Sequence, residues 1–373
     1  MAVELESLCR VAVEHKGSDL FIKADSPPAM RIHGRIVLTD MEPLTPEETE
    51  KLAHSIMTEE QIHRFHDYHE LDLAFTLGDL ARFRCNIFQQ RGTVGMVLRI
   101  IPLEIFSLEE LGMPKVLAEL TKYHQGCMLV TGPTGCGKST TLGAMMDLIN
   151  RGRRCHMVTI EDPIEFVHMD RLAIVSQREV GIDTESFWDA MKYVVRESPD
   201  VILIGEMRDA ETMRVALTAA ETGHLVFSTV HTTSASDTIE RIVNIFPPHE
   251  KPQICLRLST ALLGVVSQKL IPRADGTGRV AAVEVMINTP TVSKLIEEGR
   301  SAQIYSAISE GGYWGMQTMN QSLLKFTRAG ILTEEDALAH AGNLTELKQM
   351  LRRGVTAASL AGRPGGSTSK EQS

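Results

Sequence analysis

Residues Gly132, Pro133, Thr134, Gly135, Cys136, Gly137, Lys138 and Ser139 follow the pattern GxxxxGK[ST], with Thr140 beside it. The three glycines let backbone N–H groups converge on an oxyanion without interference from Cβ atoms. A helix opening at Lys138 turns the positive end of its dipole toward the same point. The lysine of such a loop reaches the β- and γ-phosphates of a nucleotide, and the Ser139 hydroxyl is placed for Mg²⁺. An apolar run at 128–131 precedes the loop and a helical pattern follows it. That setting distinguishes a phosphate-binding loop from a glycine-rich turn without function, and the residues point to a nucleotide site.

Three further segments carry candidate chemistry. The run 201–204 is purely apolar and leads through Gly205 to Glu206, a Glu where Asp is more usual. Beside a phosphate loop, an acid at a strand end faces Mg²⁺ or the attacking water. Glu161, Asp162 and Glu165 follow a second apolar run at 157–160, and Pro163 is expected to hold that turn extended. Solvated loop acids are the competing reading there. His231 closes a fourth run that begins at Leu225. A neutral imidazole at that place either donates to a terminal phosphate or fills the strand end as an ordinary hydrogen-bonded side chain. His224, beside Gly223, is a weaker candidate of the same kind. Arg82, Arg84 and Arg99 lie in strand-like segments near the N-terminus, and Arg196 and Arg208 flank the acidic strand. An arginine supplied across an interface stabilises transition-state charge on phosphate, whereas strand arginines commonly face solvent or pair with acids.

These residues need elements to position them. Short apolar runs at 128–131, 157–160, 201–204 and 225–228 alternate with helical patterns at 138–149, 187–197 and 210–221. Such runs are what a parallel sheet buried on both faces requires, so a doubly wound α/β domain is expected. The first hundred residues read differently. A helix at 5–14, a strand at 19–23, a strand resuming after Pro27 and Pro28 with a turn at Gly34, a helix opening at Pro46, and strands at 82–88 and 94–101 make an α+β unit. A helical region at 334–351 precedes a small, polar, glycine-rich end expected to be disordered.

The chain has 373 residues; 38 Lys and Arg against 48 Asp and Glu give a net charge of −10. That balance argues against a general nucleic-acid coat. No apolar run approaches the ~20 residues needed to cross a bilayer, and the N-terminus reads as an amphipathic helix with Glu4, Glu6 and Glu14 rather than a secretion signal. A cytoplasmic chain is expected. Its six cysteines are scattered without a CxxC pair, which disfavours both a disulfide scaffold and a tetracysteine zinc site.

Taken in order, the phosphate loop, Thr159 to Phe166 (TIEDPIEF), Ile202 to Asp209 (ILIGEMRD) and Ser228 to Thr233 (STVHTT) resemble the Walker A, Asp box, Walker B and His box of the secretion-superfamily ATPases. Within that superfamily the chain is similar to the type IV pilus retraction ATPases, the PilT/PilU group. Gly17-Ser-Asp-Leu-Phe21 with Pro27 and Pro28, Gln177 to Gly181, Glu221 to His224, and Gly315 to Asn320 carry that part of the likeness, which extends over residues 5–353.

The resemblance implies a PAS-like domain at 1–101, a linker at 102–113, a RecA-like ATPase domain with C-terminal helices at 114–354, and a disordered tail at 355–373. It implies ATP and Mg²⁺ as ligands, held by Gly132 through Thr140 with Ser139 and Glu206 on the metal. Glu161 is implied to position water, His231 to sense the terminal phosphate, and Arg82 and Arg84 to make arginine contacts. The implied activity is ATP hydrolysis coupled to pilus retraction and twitching motility. The assembly is a homohexameric ring at the cytoplasmic side of the inner membrane, at the pilus base. Its partners are a membrane platform protein and a paralogous pilus motor ATPase, and no nucleic acid is expected. The missing tetracysteine motif separates the chain from pilus assembly ATPases. After Pro290, however, the family's retraction motif, close to AIRNLIRE, keeps Leu295, Ile296 and Glu298 while Ser293, Lys294 and Glu297 replace its Arg, Asn and second Arg. That departure keeps an accessory, PilU-like subunit open as the alternative, beside a related type II secretion or DNA-uptake ATPase.

Overall fold

Alternating apolar residues build one sheet of the molecule and continuous apolar runs build the other. The computed structural model describes residues 3–32, 34–78, 80–101 and 104–361, with side chains to 352. By its internal packing the chain forms two units, Met1–Ile105 with Asp162–Met169 and Gln177–Asp183, and the remainder from Phe106.

The first unit contains α1 (Leu5–Glu14), β1 (Asp19–Lys23), β2 (Ala29–Ile32), β3 (Arg35–Leu38), α2 (Pro46–His54), α3 (Glu59–Tyr68), β4 (Glu70–Leu77), β5 (Ala81–Gln90) and β6 (Thr93–Ile101). Its strands pair antiparallel in the order β3-β2-β1-β6-β5-β4. The two-residue period of β5 turns Ala81, Phe83, Cys85 and Ile87 inward, where they are fully buried. Arg82 and Arg84 therefore leave the opposite face together. Leu8 and Cys9 of α1, Leu52 of α2 and Phe65 of α3 join the inward residues in one core. Capping boxes at Thr45–Glu48 and Thr58–Gln61 start α2 and α3 by pairing N–H groups that each helix would otherwise leave unsatisfied.

The second unit contains α4 (Val116–Leu120), β7 (Gly126–Thr131), α5 (Lys138–Gly152), β8 (His156–Glu161), the first half of β9 (Ile174–Glu179), α6 (Phe187–Val194), β10 (Val201–Ile204), α7 (Ala210–Glu221), β11 (Leu225–Val230), α8 (Ala235–Ile245), α9 (Lys251–Ala261), β12 (Leu262–Pro272), β13 (Arg279–Ile287), α10 (Pro290–Glu297), α11 (Ile304–Glu310), α12 (Met319–Arg328), α13 (Glu334–Ala339) and α14 (Leu344–Ala361). The sheet order is β13-β12-β7-β11-β10-β8-β9. From β12 through β8 each neighbouring pair is parallel, and β13 closes the other edge antiparallel to β12. Every residue of β7, β10 and β11 is buried, as the apolar runs require of strands covered on both faces. Met128 and Val130 of β7 share a core with Leu142, Met145 and Met146 of α5. A smaller core joins Ile271 and Ala282 of the β12–β13 pair to Met319, Leu323 and Leu347 of the C-terminal helices.

The division differs from the sequence boundaries in three places. Residues 162–169 and 177–183 pack with the first unit although they follow the phosphate loop in sequence, and the first unit extends to Ile105. Pro102 and Leu103, at the start of the expected linker, lie outside the described residues. Helix α14 runs seven residues into the expected 355–373 tail, ending at Ala361. In the sequence Val355, Ala357, Ala358, Leu360 and Ala361 are apolar or small, and the glycines and Pro364 that follow had obscured the helical reading. The rest of the expected tail lies outside the described residues.

Candidate functional site

In the second unit the loop from Gly132 to Gly137 leaves the carboxyl end of buried β7, and Lys138 opens α5. Gly132 has φ 143° and Gly137 φ 91°, values that a residue with a Cβ adopts only under strain. Space forbids one as well, since a Cβ on Gly132 would lie 2.5 Å from both Cys136 Sγ and Gln268 O. Lys138 Nζ donates to the carbonyl oxygens of Gly132 and Pro133 at 2.9 and 3.1 Å, so the ammonium lies over the loop backbone. Ser139 and Thr140 follow in the first turn of α5, where N–H groups have no partner within the helix. Cys136 is 3% exposed, and burial raises its thiol pKa against the opposing charge of Lys138. The thiol is therefore neutral and packed.

Because β7, β11, β10 and β8 are adjacent and parallel, their carboxyl ends line one edge of the sheet. Those ends deliver the phosphate loop, His231, Glu206 and Glu161 in that spatial order. Open α/β sheets bind ligands at this edge. Hydrogen bonds between neighbouring strand ends fix it. Gly205 N donates to Ile160 O at 2.7 Å, Thr229 Oγ1 to Gly205 O at 2.7 Å, and Met207 N to Thr229 O at 3.2 Å. Glu206 is thus held on a backbone tied to both flanking strands.

Its carboxylate meets the Arg208 guanidinium, with Nη2 at 2.7 Å, and the His231 imidazole, with Nε2 at 3.3 Å. Partial burial raises its pKa, but the hydrogen bonds and charges of Arg208 and His231 outweigh that and leave the group below the ordinary glutamate range. Glu206 is ionised at neutral pH. Glu161, at the end of β8, accepts from Thr159 Oγ1 at 2.6 Å. Asp162 and Glu161 belong to different units, and the Asp162–Pro163 peptide is cis. Asp209 and Ser234 have local work, capping α7 and α8 through Thr212 N and Asp237 N. His224 is likewise local, its Nδ1 lying 3.0 Å from Ala219 O.

The arginines of the first unit separate. Arg82 Nη2 pairs with Glu179 Oε2 at 3.3 Å, and both side chains are largely buried. Arg84 lines a cleft of about 360 Å³ with Arg64, Asp72, Asn86, Asp162 and Glu179. Arg99 pairs with Asp19.

Sequence reasoning passed over Thr159, which holds Glu161, and Gln268, whose carboxamide reaches the phosphate loop. The visible signal for Gln268 was a polar residue inside the apolar run of β12. Among the described residues no cluster of three or more His, Cys, Asp and Glu is arranged to hold a metal ion. This donor set suits a cation bound mainly by substrate phosphates with one hydroxyl and one carboxylate, the habit of Mg²⁺. Among those residues, too, no helix is long and apolar enough to cross a membrane.

Known proteins resemble this chain in sequence and fold. The chain is 46% identical over 335 residues to the type IV pilus retraction ATPase PilT of Pseudomonas aeruginosa, covering 90% of this chain and 97% of that one. It is 43% identical over 352 residues to the type IV pilus ATPase PilU of the same organism, covering 94% and 92%. The crystal structure of the pilus retraction motor PilT with bound ADP superposes with a TM-score of 0.87 at 45% identity, covering 93% of this chain and all of that one. The family model described as type II/IV secretion system protein matches residues 5–352. The chain belongs to the type II/IV secretion system protein family.

Proposed function

We propose that the chain is an ATPase that powers retraction of type IV pili. The observation that carries this reading is the single sheet edge on which β7, β11, β10 and β8 present a phosphate loop, His231, Glu206 and Glu161. Likeness over nine-tenths of the chain to PilT supports the choice of machine.

In this reading the loop amides and Lys138 bind the β- and γ-phosphates of ATP. Ser139 and Glu206 hold Mg²⁺, which neutralises charge developing on the phosphates when it is bound. Glu161 orients the attacking water, with Thr159 fixing its carboxylate. His231, on Glu206, responds to the terminal phosphate. Arg84 reaches the nucleotide of a neighbouring subunit in a homohexameric ring, and Arg82 acts beside it once it leaves Glu179. The ring works at the cytoplasmic face of the inner membrane against a pilus platform protein.

Expression in a P. aeruginosa strain lacking its PilT tests this. Restored twitching, lost again with Lys138→Ala, is the expected result; unrestored twitching from a chain that hydrolyses ATP would direct it to another machine.

An accessory, PilU-like role is the second reading, and helix α10 favours it. The residues kept from the retraction motif include Leu295 and Ile296, which are core residues. Of the replaced positions Lys294 and Glu297 are exposed and Ser293 is half-buried, and the kept Glu298 is exposed with them. Ser293 bonds to Ser259 O, and Lys294 pairs with Glu297 and Glu298 along the helix surface. An accessory motor would restore twitching only alongside an active PilT.

A further inference from the structure

Strand β12 flanks β7 on the side away from β11. Gln268 lies in it at 2% exposure, a polar side chain that burial would penalise if it lacked partners. Both ends of its carboxamide are occupied. Nε2 donates to Cys136 O at 2.7 Å, and Oε1 accepts from Thr141 Oγ1 at 2.8 Å. One side chain thus joins the phosphate loop to the first turn of α5. The two loop glycines with the tightest surroundings are set against the same residue. A Cβ on Gly132 would lie 2.5 Å from Gln268 O, and one on Gly137 would lie 2.8 Å from its Nε2.

The bond to Cys136 O also orients an amide. In a planar trans peptide the C=O and N–H point in opposite directions. With the carbonyl of Cys136 turned to Gln268, the N–H of Gly137 points away from β12. Rotation of that peptide, which glycine on its C-terminal side would otherwise make easy, costs a buried hydrogen bond.

We infer that Gln268 is a positioning residue of the nucleotide site, holding the Cys136–Gly137 peptide and the start of α5 in the geometry that phosphate requires. It acts through the loop and does not touch the nucleotide. The inference rests on the nucleotide-site reading above and adds the element that keeps the site formed.

Gln268→Glu tests it in the full chain. The shape and the acceptor for Thr141 remain, but once the new carboxyl is ionised no donor faces Cys136 O, so the variant is compared with wild type at alkaline pH. Thr141→Val removes the hydroxyl from the other side. Ser322→Ala, which deletes the buried acceptor of Val283 N at the C-terminal helices, serves as the control for general destabilisation. We expect Gln268→Glu to lose about tenfold or more in kcat/KM for ATP and to exchange the amides of 135–138 faster than wild type. Thr141→Val should shift both in the same direction by less, and Ser322→Ala should lower Tm alone. Wild-type kcat/KM and exchange in Gln268→Glu would overturn the assignment. If that variant does not fold, the same pair of results in Thr141→Val would overturn it. A wild-type chain that neither binds nor hydrolyses ATP would instead overturn the nucleotide-site reading, and amide exchange would still report whether Gln268 holds the loop.

Discussion

Arg82 and Arg84 leave β5 on one face, two residues apart, yet their surroundings differ. Arg82 balances Glu179, whose side chain is 5% exposed, so truncation strands a buried carboxylate. Arg82→Ala should destabilise the protein by about 2–3 kcal/mol, and Arg84→Ala by about 1 kcal/mol or less. Thermal melting of both variants checks the ranking, and equal losses would contradict it. Glu284 offers a second test at this scale. Burial raises its pKa above the ordinary glutamate range, although the N–H groups of Ala235 and Met319 and the charge of Lys269 oppose the shift and Asp237 adds to it. The folded carboxyl therefore keeps its proton to higher pH than the unfolded one. Its contribution to stability is full below the ordinary glutamate pKa and is lost as pH rises through the raised value. Glu284→Gln should flatten that part of the Tm–pH profile, and a fall in Tm as steep as in wild type would assign the titration to another group.

At the scale of elements, the sequence was most legible where one physical signal dominated. The apolar run gave β10 and the helical pattern α7 with their observed bounds, and Pro46 with the acids after it gave α2 its start. The phosphate loop was legible because its glycines, lysine and serine have few other uses in that spacing. The β12–β13 pair escaped notice. It mixes Ser267, Gln268, Lys269 and Glu284 into apolar runs, and those polar residues are satisfied only by partners distant in sequence. Helix α3 and strand β4 were passed over because charged residues dilute their periodicity. The loop itself makes a prediction here. Gly132→Ala places a Cβ at φ 143° against a sulfur and a backbone oxygen. It should cost about 1–3 kcal/mol and weaken ADP binding about tenfold or more, measured by titration with a fluorescent nucleotide. Binding equal to wild type would mean that the loop adjusts to the added methyl group.

For the whole molecule, the central claims are a nucleotide site in every subunit and arginines shared between subunits. On the proposed roles, Lys138→Ala would carry a dead site with an intact Arg84, and Arg84→Ala the reverse. Mixed and reassembled, the two should recover turnover that neither has alone, because some sites then pair an intact loop with an intact arginine. Turnover equal to the sum of the separate variants would place Arg84 outside the neighbour's site. Mg²⁺-dependent ATP hydrolysis by the full-length chain, measured beside Lys138→Ala, is the most direct test of the nucleotide site. Turnover should vanish with the lysine while Tm stays within a few degrees. Hydrolysis that persists in Lys138→Ala, or a wild-type chain that does not hydrolyse ATP, would contradict that site.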